Sequence, residues 1–204
     1  MTQSAEGPLQ LRAGLLFARS NPRTERGIQP PDMTNLRVPV SRVDHIQGDA
    51  NAPITLVEYG DFQCPHCAVA HGIVKRLQQH FGSRIRYVFR NFPLTEIHPL
   101  AEAAAEAAEF AGENGKYWQM HDGIFNNQRR LTPELLVELA TRLQLDTDEM
   151  ATAIDVQRYL DRITRDVEGG ERAGVHSTPT FFINGQLYSG AWDFENLLQA
   201  LDAA

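Results

Sequence analysis

Hydrophobic residues in the first half of the chain form two patterns, short β-branched runs and a stretch with helical spacing. ITLVEYG at 54–60 and IRYVFRNFP at 85–93 are apolar runs typical of buried strands. Between them, apolar residues recur at helical spacing and predict the core face of one helix, made of Val69, Ile73, Val74 and Leu77. Together these patterns predict a β–α–β unit.

The second half of the chain predicts a run of helices followed by a hairpin and a last helix. Helical spacing continues from about residue 96 to 174, with helix starts at Thr132-Pro133 and at Asp146. PTFFING and QLYSG then predict two strands that turn at Asn184-Gly185. The predicted order is therefore βαβ, a helical insertion over about 96–174, and ββα, in an α/β fold.

Residues 1–47 differ from the rest, because several prolines interrupt any helix there. This segment predicts an extended arm with an edge strand near 37–46, although a mobile tail is equally compatible with it. Residues 48–204 then form the main domain.

Composition and charge exclude some function classes. The chain has 204 residues, 42% of them apolar, and a formal net charge of −7, which argues against a general nucleic-acid binder. No stretch approaches the roughly 18 apolar residues that a membrane-spanning helix needs. The first residues lack the apolar core of a signal peptide. We therefore expect a cytoplasmic protein, with the periplasm as the alternative.

The two cysteines of the chain, Cys64 and Cys67, stand three positions apart in the sequence CPHC. Zinc is one interpretation, with His66 and His71 as further ligands, but a structural zinc site needs about four ligands. Two inert core cysteines are a second interpretation. The third is a redox dithiol, which a CxxC sequence beside a βαβ pattern indicates.

The redox interpretation gives each residue of CPHC a role. A thiol at a helix N-terminus lies among unpaired N–H groups, which favour the nucleophilic thiolate. Cys64 would be this attacking thiol, and Cys67, one turn further in and less exposed, would resolve the mixed disulfide. Pro65 would fix the turn, and His66 would add a positive or hydrogen-bond-donating neighbour.

CPHC at 64–67 and STPTFFING at 177–185 together resemble the DsbA-like branch of the thioredoxin superfamily. FRNFPL, HPLAEAAAEAAEFA and KYWQMHD are similar to a bacterial subgroup, some of whose members are fused to sodium/proton antiporters. The resemblance covers about Val43 to the C-terminus. It implies a thioredoxin-like fold in which Pro179 is cis and faces the disulfide, while Thr178 contacts substrate through its backbone. A strand start with trans Pro179 is the alternative.

Three further residues complete the candidate site. Glu58 lies in the first apolar run at a position where the resembling family often has an acidic residue beneath the dithiol. There it would exchange a proton with Cys67, whereas a solvated strand end is the equally weighted alternative. Ser177 and His176 precede Thr178 and are expected to contribute to substrate binding. His176 would also border the dithiol, although it is equally a plain loop residue.

The sequence therefore predicts a thiol–disulfide oxidoreductase that acts on protein or peptide thiols and disulfides. No cofactor or metal is expected, and an unidentified redox partner would recycle the dithiol. Two alternatives stay open. One is a non-enzymatic module that binds a partner and senses redox state, and the other is a small-molecule reductase or isomerase.

Overall fold

The computed structural model describes Met1 and residues 35–204, so most of the predicted arm, residues 2–34, lies outside the described residues. The described elements all lie within the unit Asp32–Ala204. In chain order they are β1 His45–Gly48, β2 Ile54–Gly60, α1 Pro65–Phe81, β3 Ile85–Asn91, α2 Ala101–Glu113, α3 Tyr117–Asn126, α4 Pro133–Arg142, α5 Thr147–Asp155, α6 Leu160–Arg172, β4 Thr180–Ile183, β5 Gln186–Leu187 and α7 Phe194–Asp202. This order confirms the thioredoxin-like α/β fold, with the helical insertion α2–α6 between β3 and β4.

The five strands form one sheet in the order β1-β3-β2-β4-β5. Strand β2 is parallel to β3 and antiparallel to β4, and all seven of its residues are buried. Because successive side chains of a strand point to opposite faces, Leu56 and Glu58 face one core and Val57 and Tyr59 face the other. A buried central strand thus places Glu58 on the same face of the sheet as the dithiol.

Helix α1 buries a stripe of residues on the sheet and the insertion: Cys67, Ala70, His71, Val74, Leu77 and Phe81. Val69, which the helical spacing assigns to the core face, is instead 58% exposed. Two residues turn an α-helix by about 200°, so Val69 lies on the side opposite Cys67. The prediction for this side chain is wrong, and Val69 instead lines a surface groove together with Gln63 and Pro65.

Local signals set the ends of several elements. The side chains of Thr132 and Asp146 accept hydrogen bonds from the first turns of α4 and α5, as the helix-start signals predict. Asn184 and Gly185 both have positive φ, 47° and 85°, which is the turn that an Asn-Gly pair favours. Strand β5 has only two residues, fewer than QLYSG predicts.

The edge strand β1 begins at His45, whereas the sequence predicts an edge strand near 37–46. The buried Arg90 of β3 accounts for the difference. Its guanidinium donates to the backbone carbonyls of Val38 and Pro39 and to the carboxylate of Asp44 at 2.8 Å. Because residues 38–44 wrap around this cation, their backbone does not pair with β3. In the described part of the chain, no helix has both the length and the apolar character to cross a bilayer.

Candidate active site

The two cysteines lie at the N-terminus of α1 as free thiols. Cys64 precedes the first turn with an extended backbone, φ −70° and ψ 120°, and Pro65 occupies the start of the helix, where a missing N–H costs nothing. The Cys67 N–H donates to the Cys64 carbonyl at 3.0 Å and closes the turn. Cys64 is only slightly the more exposed of the two, at 4% against 0% for Cys67.

The surroundings of Cys64 favour its thiolate. A hydrogen bond from the Cys67 thiol is the main reason that the pKa of Cys64 falls to about 5, although burial opposes the shift. The backbone N–H groups of Cys67 and His66 lower the pKa further. When protonated, the Cys64 thiol donates to the Thr178 carbonyl at 3.4 Å. The first thiol is therefore largely ionised at neutral pH.

The pKa values of Cys67 and Glu58 are raised, whereas that of Cys64 is lowered. Burial raises the pKa of Cys67 well above its ordinary value, and the hydrogen bond to Cys64 and the charge of Glu58 raise it further. Burial also raises the pKa of Glu58 to about 8, against a hydrogen bond of 2.6 Å that Tyr87 donates to it. Glu58 is 1% exposed, which excludes the solvated strand end.

Asp61 anchors the loop before the dithiol and is not among the residues predicted from the sequence. Its buried carboxylate accepts hydrogen bonds from the N–H groups of Gln63, Cys64 and Leu94, and contacts the His98 ring at 2.7 Å. The Asp61 N–H in turn points at the Cys67 sulfur, 3.4 Å away. Asp61 stands four residues before α1 starts at Pro65, and an aspartate in the loop before a helix, whose side chain can accept from the backbone two residues on, is the signal that could have identified it.

The insertion contributes a second anchor that the sequence does not reveal. The Gln128 side chain donates to the carbonyls of Phe62 and Cys64, at 3.0 and 2.7 Å. From the other side, the exposed His66 ring lies edge-on to Trp192, with ring centroids 6.1 Å apart. No local pattern marks either contact, because each partner is more than 60 residues away in the chain.

The segment before β4 reaches the dithiol through the carbonyl of Thr178, and Thr178 and Pro179 are both buried. The peptide bond between them is cis. His176 and Ser177 are exposed, and their side chains make no hydrogen bond or ion pair to the dithiol within residues 35–204. Of the four residues predicted here, Thr178 contacts Cys64 through its carbonyl, while the packing of Pro179 against the dithiol stays a prediction.

A cluster that could hold a metal lies one helical turn beyond Cys67. His71, His121 and Asp122 offer three ligand atoms within 4.8 Å of one another. Burial lowers the pKa of both histidines, that of His121 to about 4, so neutral imidazoles are present at pH 7. Lys75, however, already donates to Asp122 at 2.7 Å. His71 thus pairs across to α3 and does not complete a zinc site with the cysteines.

Comparison with known proteins places the chain in a family. A family model described as Thioredoxin matches residues 41–203. The Na(+)/H(+) antiporter NhaA 1 of Salinispora arenicola is 44% identical over 171 residues, which are 83% of this chain and 26% of that protein. NhaA 1 of Mycobacterium sp. (strain KMS) is 38% identical over 181 residues, 86% of this chain and 30% of that protein. The chain thus spans less than a third of the length of these relatives.

Solved structures show the same fold at low sequence identity. Oxidised BdbD from Bacillus subtilis superposes with a TM-score of 0.72 at 22% identity, covering 78% of this chain and 91% of that one. Alpha-DsbA1 from Wolbachia pipientis gives a TM-score of 0.70 at 22% identity, covering 80% and 92%. The chain therefore belongs to the thioredoxin family, and it shares the fold of these structures, including the helical insertion between β3 and β4.

Proposed function

We propose that the protein exchanges disulfides with protein or peptide thiols through its CPHC sequence, by way of a mixed disulfide on Cys64. The observation that carries this proposal is that the pKa values of two neighbouring thiols are shifted in opposite directions. The pKa of Cys64 is lowered to about 5 and that of Cys67 is raised well above its ordinary value. One thiol is then a nucleophile at neutral pH, while the other stays protonated until it is needed.

In the reducing direction, the Cys64 thiolate attacks one sulfur of a substrate disulfide. A bond forms between Cys64 and that sulfur, and the other substrate sulfur leaves as a thiolate. Cys67 then loses its proton and attacks the Cys64 sulfur, which releases the second substrate thiolate and leaves a Cys64–Cys67 disulfide. Two electrons pass from the dithiol to the substrate, and the reverse sequence oxidises a substrate dithiol.

Glu58 supplies the acid and base chemistry for Cys67. Part of the rise in its pKa comes from the negative charge of Cys64, which disappears when Cys64 enters the mixed disulfide. Glu58 then ionises more readily and can accept the Cys67 proton. In the reverse direction a carboxyl with a pKa of about 8 is mostly protonated at pH 7, and it can return the proton to Cys67 as the disulfide opens.

The surface around Cys64 fits an extended peptide. The Thr178 carbonyl lies 3.4 Å from the Cys64 sulfur, where backbone groups of a substrate strand would pair with it. On the other side of Pro65, a groove lined partly by Val69, Phe125 and Leu131 offers apolar contacts to substrate side chains. Both features favour protein or peptide substrates over a small disulfide.

Insulin reduction by the purified full chain tests the proposal, with dithiothreitol as the electron source. We expect turnover from the native protein and none above the dithiothreitol background from Cys64→Ser. Cys67→Ala, reduced and then mixed with insulin after dithiothreitol is removed, should accumulate a mixed disulfide visible by its added mass. Binding of insulin without turnover would support the partner-binding module instead. Turnover of glutathione disulfide but not of insulin would support the small-molecule reductase.

We also propose that the protein works in the cytoplasm with its dithiol mainly reduced and recycled by a partner that donates electrons. Cys64 and Cys67 are its only cysteines, so no structural disulfide calls for an oxidising compartment. Alkylation of thiols in intact cells, followed by fractionation and a gel shift, measures both the compartment and the redox state. A fully oxidised pair in a periplasmic or extracellular fraction contradicts this proposal and favours a donor of disulfides.

A further inference from the structure

An arginine-lined cavity lies on the face of the sheet opposite Glu58. Arg162, Arg165 and Arg172 follow one another on α6 at spacings of three and seven residues, which places them along one face of the helix. Arg90 of β3 and Tyr59 of β2 complete the wall. The cavity has a volume of about 220 Å³, room for roughly seven molecules of water at about 30 Å³ each.

The cavity is rich in positive charge. Four guanidinium groups and the carboxylates of Asp44 and Asp166 line it, and Arg172 also pairs with Glu168 of the same helix at 3.4 Å. Asp44 is committed to Arg90, with a contact of 2.8 Å. Burial raises the pKa of Asp166 to about 6, and this carboxylate also accepts a hydrogen bond from the Asn91 N–H. The remaining arginines are therefore only partly neutralised.

Arg162 has donors that the rest of the described chain does not satisfy. Its Nη1 donates to the Val43 carbonyl, but its Nε and Nη2 are buried without a hydrogen-bond partner among residues 35–204. The nearest carboxylate oxygen, of Asp166, is 3.7 Å from Nε, too far for a hydrogen bond. A buried donor left unpaired is unfavourable, so an acceptor in the cavity would be stabilising.

The other side chains around the cavity also have donors to offer. Arg165 uses its Nε on the Asp161 carbonyl, and no hydrogen bond from its Nη atoms to the described residues is present. The Tyr59 hydroxyl accepts from Arg90 at 2.9 Å, which leaves its own proton to donate. Gly169 has no side chain that could extend between the arginines. A Cβ at this position would lie 3.0 Å from the Val38 side chain.

We propose that this cavity binds a small doubly charged oxyanion, either inorganic phosphate or a phosphate monoester. Guanidinium groups donate pairs of parallel hydrogen bonds that match the oxygens of phosphate. Arg162 and Arg165 bind the anion directly, Tyr59 donates to it, and Arg172 adds charge at the rim. The site is separate from the dithiol and does not depend on the thiol–disulfide activity.

Isothermal titration of the full chain with inorganic phosphate tests the site, at constant ionic strength held with chloride. We expect saturable binding at one site, weakened at least tenfold in Arg162→Gln/Arg165→Gln and unchanged in Arg142→Gln, an exposed arginine on α4. If the double variant does not fold, Arg165→Gln alone serves, because that side chain is exposed and its loss leaves the core intact. Glycerol phosphate as a second titrant separates the two ligands, since tighter binding than inorganic phosphate assigns the site to monoesters. Absence of saturable binding by either titrant, or equal binding by the folded Arg165 variant and the native chain, overturns the proposal.

Discussion

The hydrogen bond from Cys67 to Cys64 is the part of the site that a paired substitution tests most directly. Cys67→Ala removes the thiol that donates to the Cys64 sulfur, which is the main cause of the low Cys64 pKa. Cys67→Ser keeps a donor of similar reach in the same place. Both variants lack the second thiol, so the difference between them isolates the hydrogen bond.

The expected size of the effect follows from the energy of such a bond. A hydrogen bond to a charged group contributes about 1.5–3 kcal/mol, which corresponds to roughly one to two pKa units. Starting from a pKa of about 5, the Cys67→Ala protein should titrate one to two units higher. At pH 5.5 the thiolate fraction then falls from about three-quarters to about a quarter or less. Cys67→Ser should stay within about half a unit of the native value.

Thiolate absorbance at 240 nm, followed from about pH 3 to 9, measures the pKa of the reduced proteins, and Cys64→Ser supplies the baseline. Alkylation by iodoacetamide gives an independent reading. At pH 5.5 the alanine variant should react at least about threefold more slowly than the serine variant. At pH 8.5, where Cys64 is ionised in both variants, the two should react at similar rates. Equal pKa values for the alanine and serine variants would refute the reasoning and would leave the helix N-terminus as the main cause.

Three further predictions concern buried polar groups around the dithiol. Glu58→Gln should slow resolution of the mixed disulfide about tenfold or more and change its formation less than twofold, because an amide cannot accept the Cys67 proton. Rapid acid quenching separates the two steps, and equal slowing of both would contradict this role of Glu58. Asp61→Asn should lower the free energy of unfolding in urea by about 2 kcal/mol, because an amide nitrogen cannot accept from backbone N–H groups, and an unchanged value would show that this anchor is dispensable. Burial lowers the pKa of His121 to about 4. The unfolded chain therefore takes up a proton at this residue below about pH 6.5, and the folded chain only below about pH 4. The free energy of unfolding should accordingly fall by about 2–3 kcal/mol between pH 7 and 4.5. That loss is absent above pH 6.5 and should shrink in His121→Gln, and a variant with the same acid loss would exclude His121 as its source.

The regular parts of the fold could be predicted because they depend on neighbours in sequence. The apolar run of β2 and the Asn184-Gly185 turn each follow from one short stretch of residues. The same holds for the dithiol, since a helix N-terminus acts on any thiol placed there. The helical spacing gave a wrong prediction for Val69, because the spacing alone does not show which face of a helix the rest of the chain covers.

The anchors of the site could not be predicted, because they join residues far apart in the sequence. Asp61 binds the Leu94 N–H across 33 residues, and Gln128 binds the Cys64 carbonyl across 64. Each is an ordinary polar residue until the fold buries it. Arg90 and Asp44 behave alike, since their ion pair displaces an edge strand that β-propensity alone would place earlier. Such contacts form where a polar group is buried and has no other hydrogen-bond partner, and which groups are buried depends on the whole fold.

The burial of the Glu58 carboxyl makes the folded protein less stable at this site. Its Oε2 is satisfied by Tyr87, but its Oε1 is buried without a hydrogen-bond partner in the described part of the chain. A Cβ at Gly60 would lie 2.3 Å from the Phe89 ring and 3.2 Å from Oε1, so the strand needs glycine to hold the carboxyl and the ring together. An apolar residue at position 58 would avoid this desolvation cost. The burial that makes the carboxyl costly also brings its pKa near to physiological pH, and a group that must both accept and return a proton at pH 7 requires such a pKa.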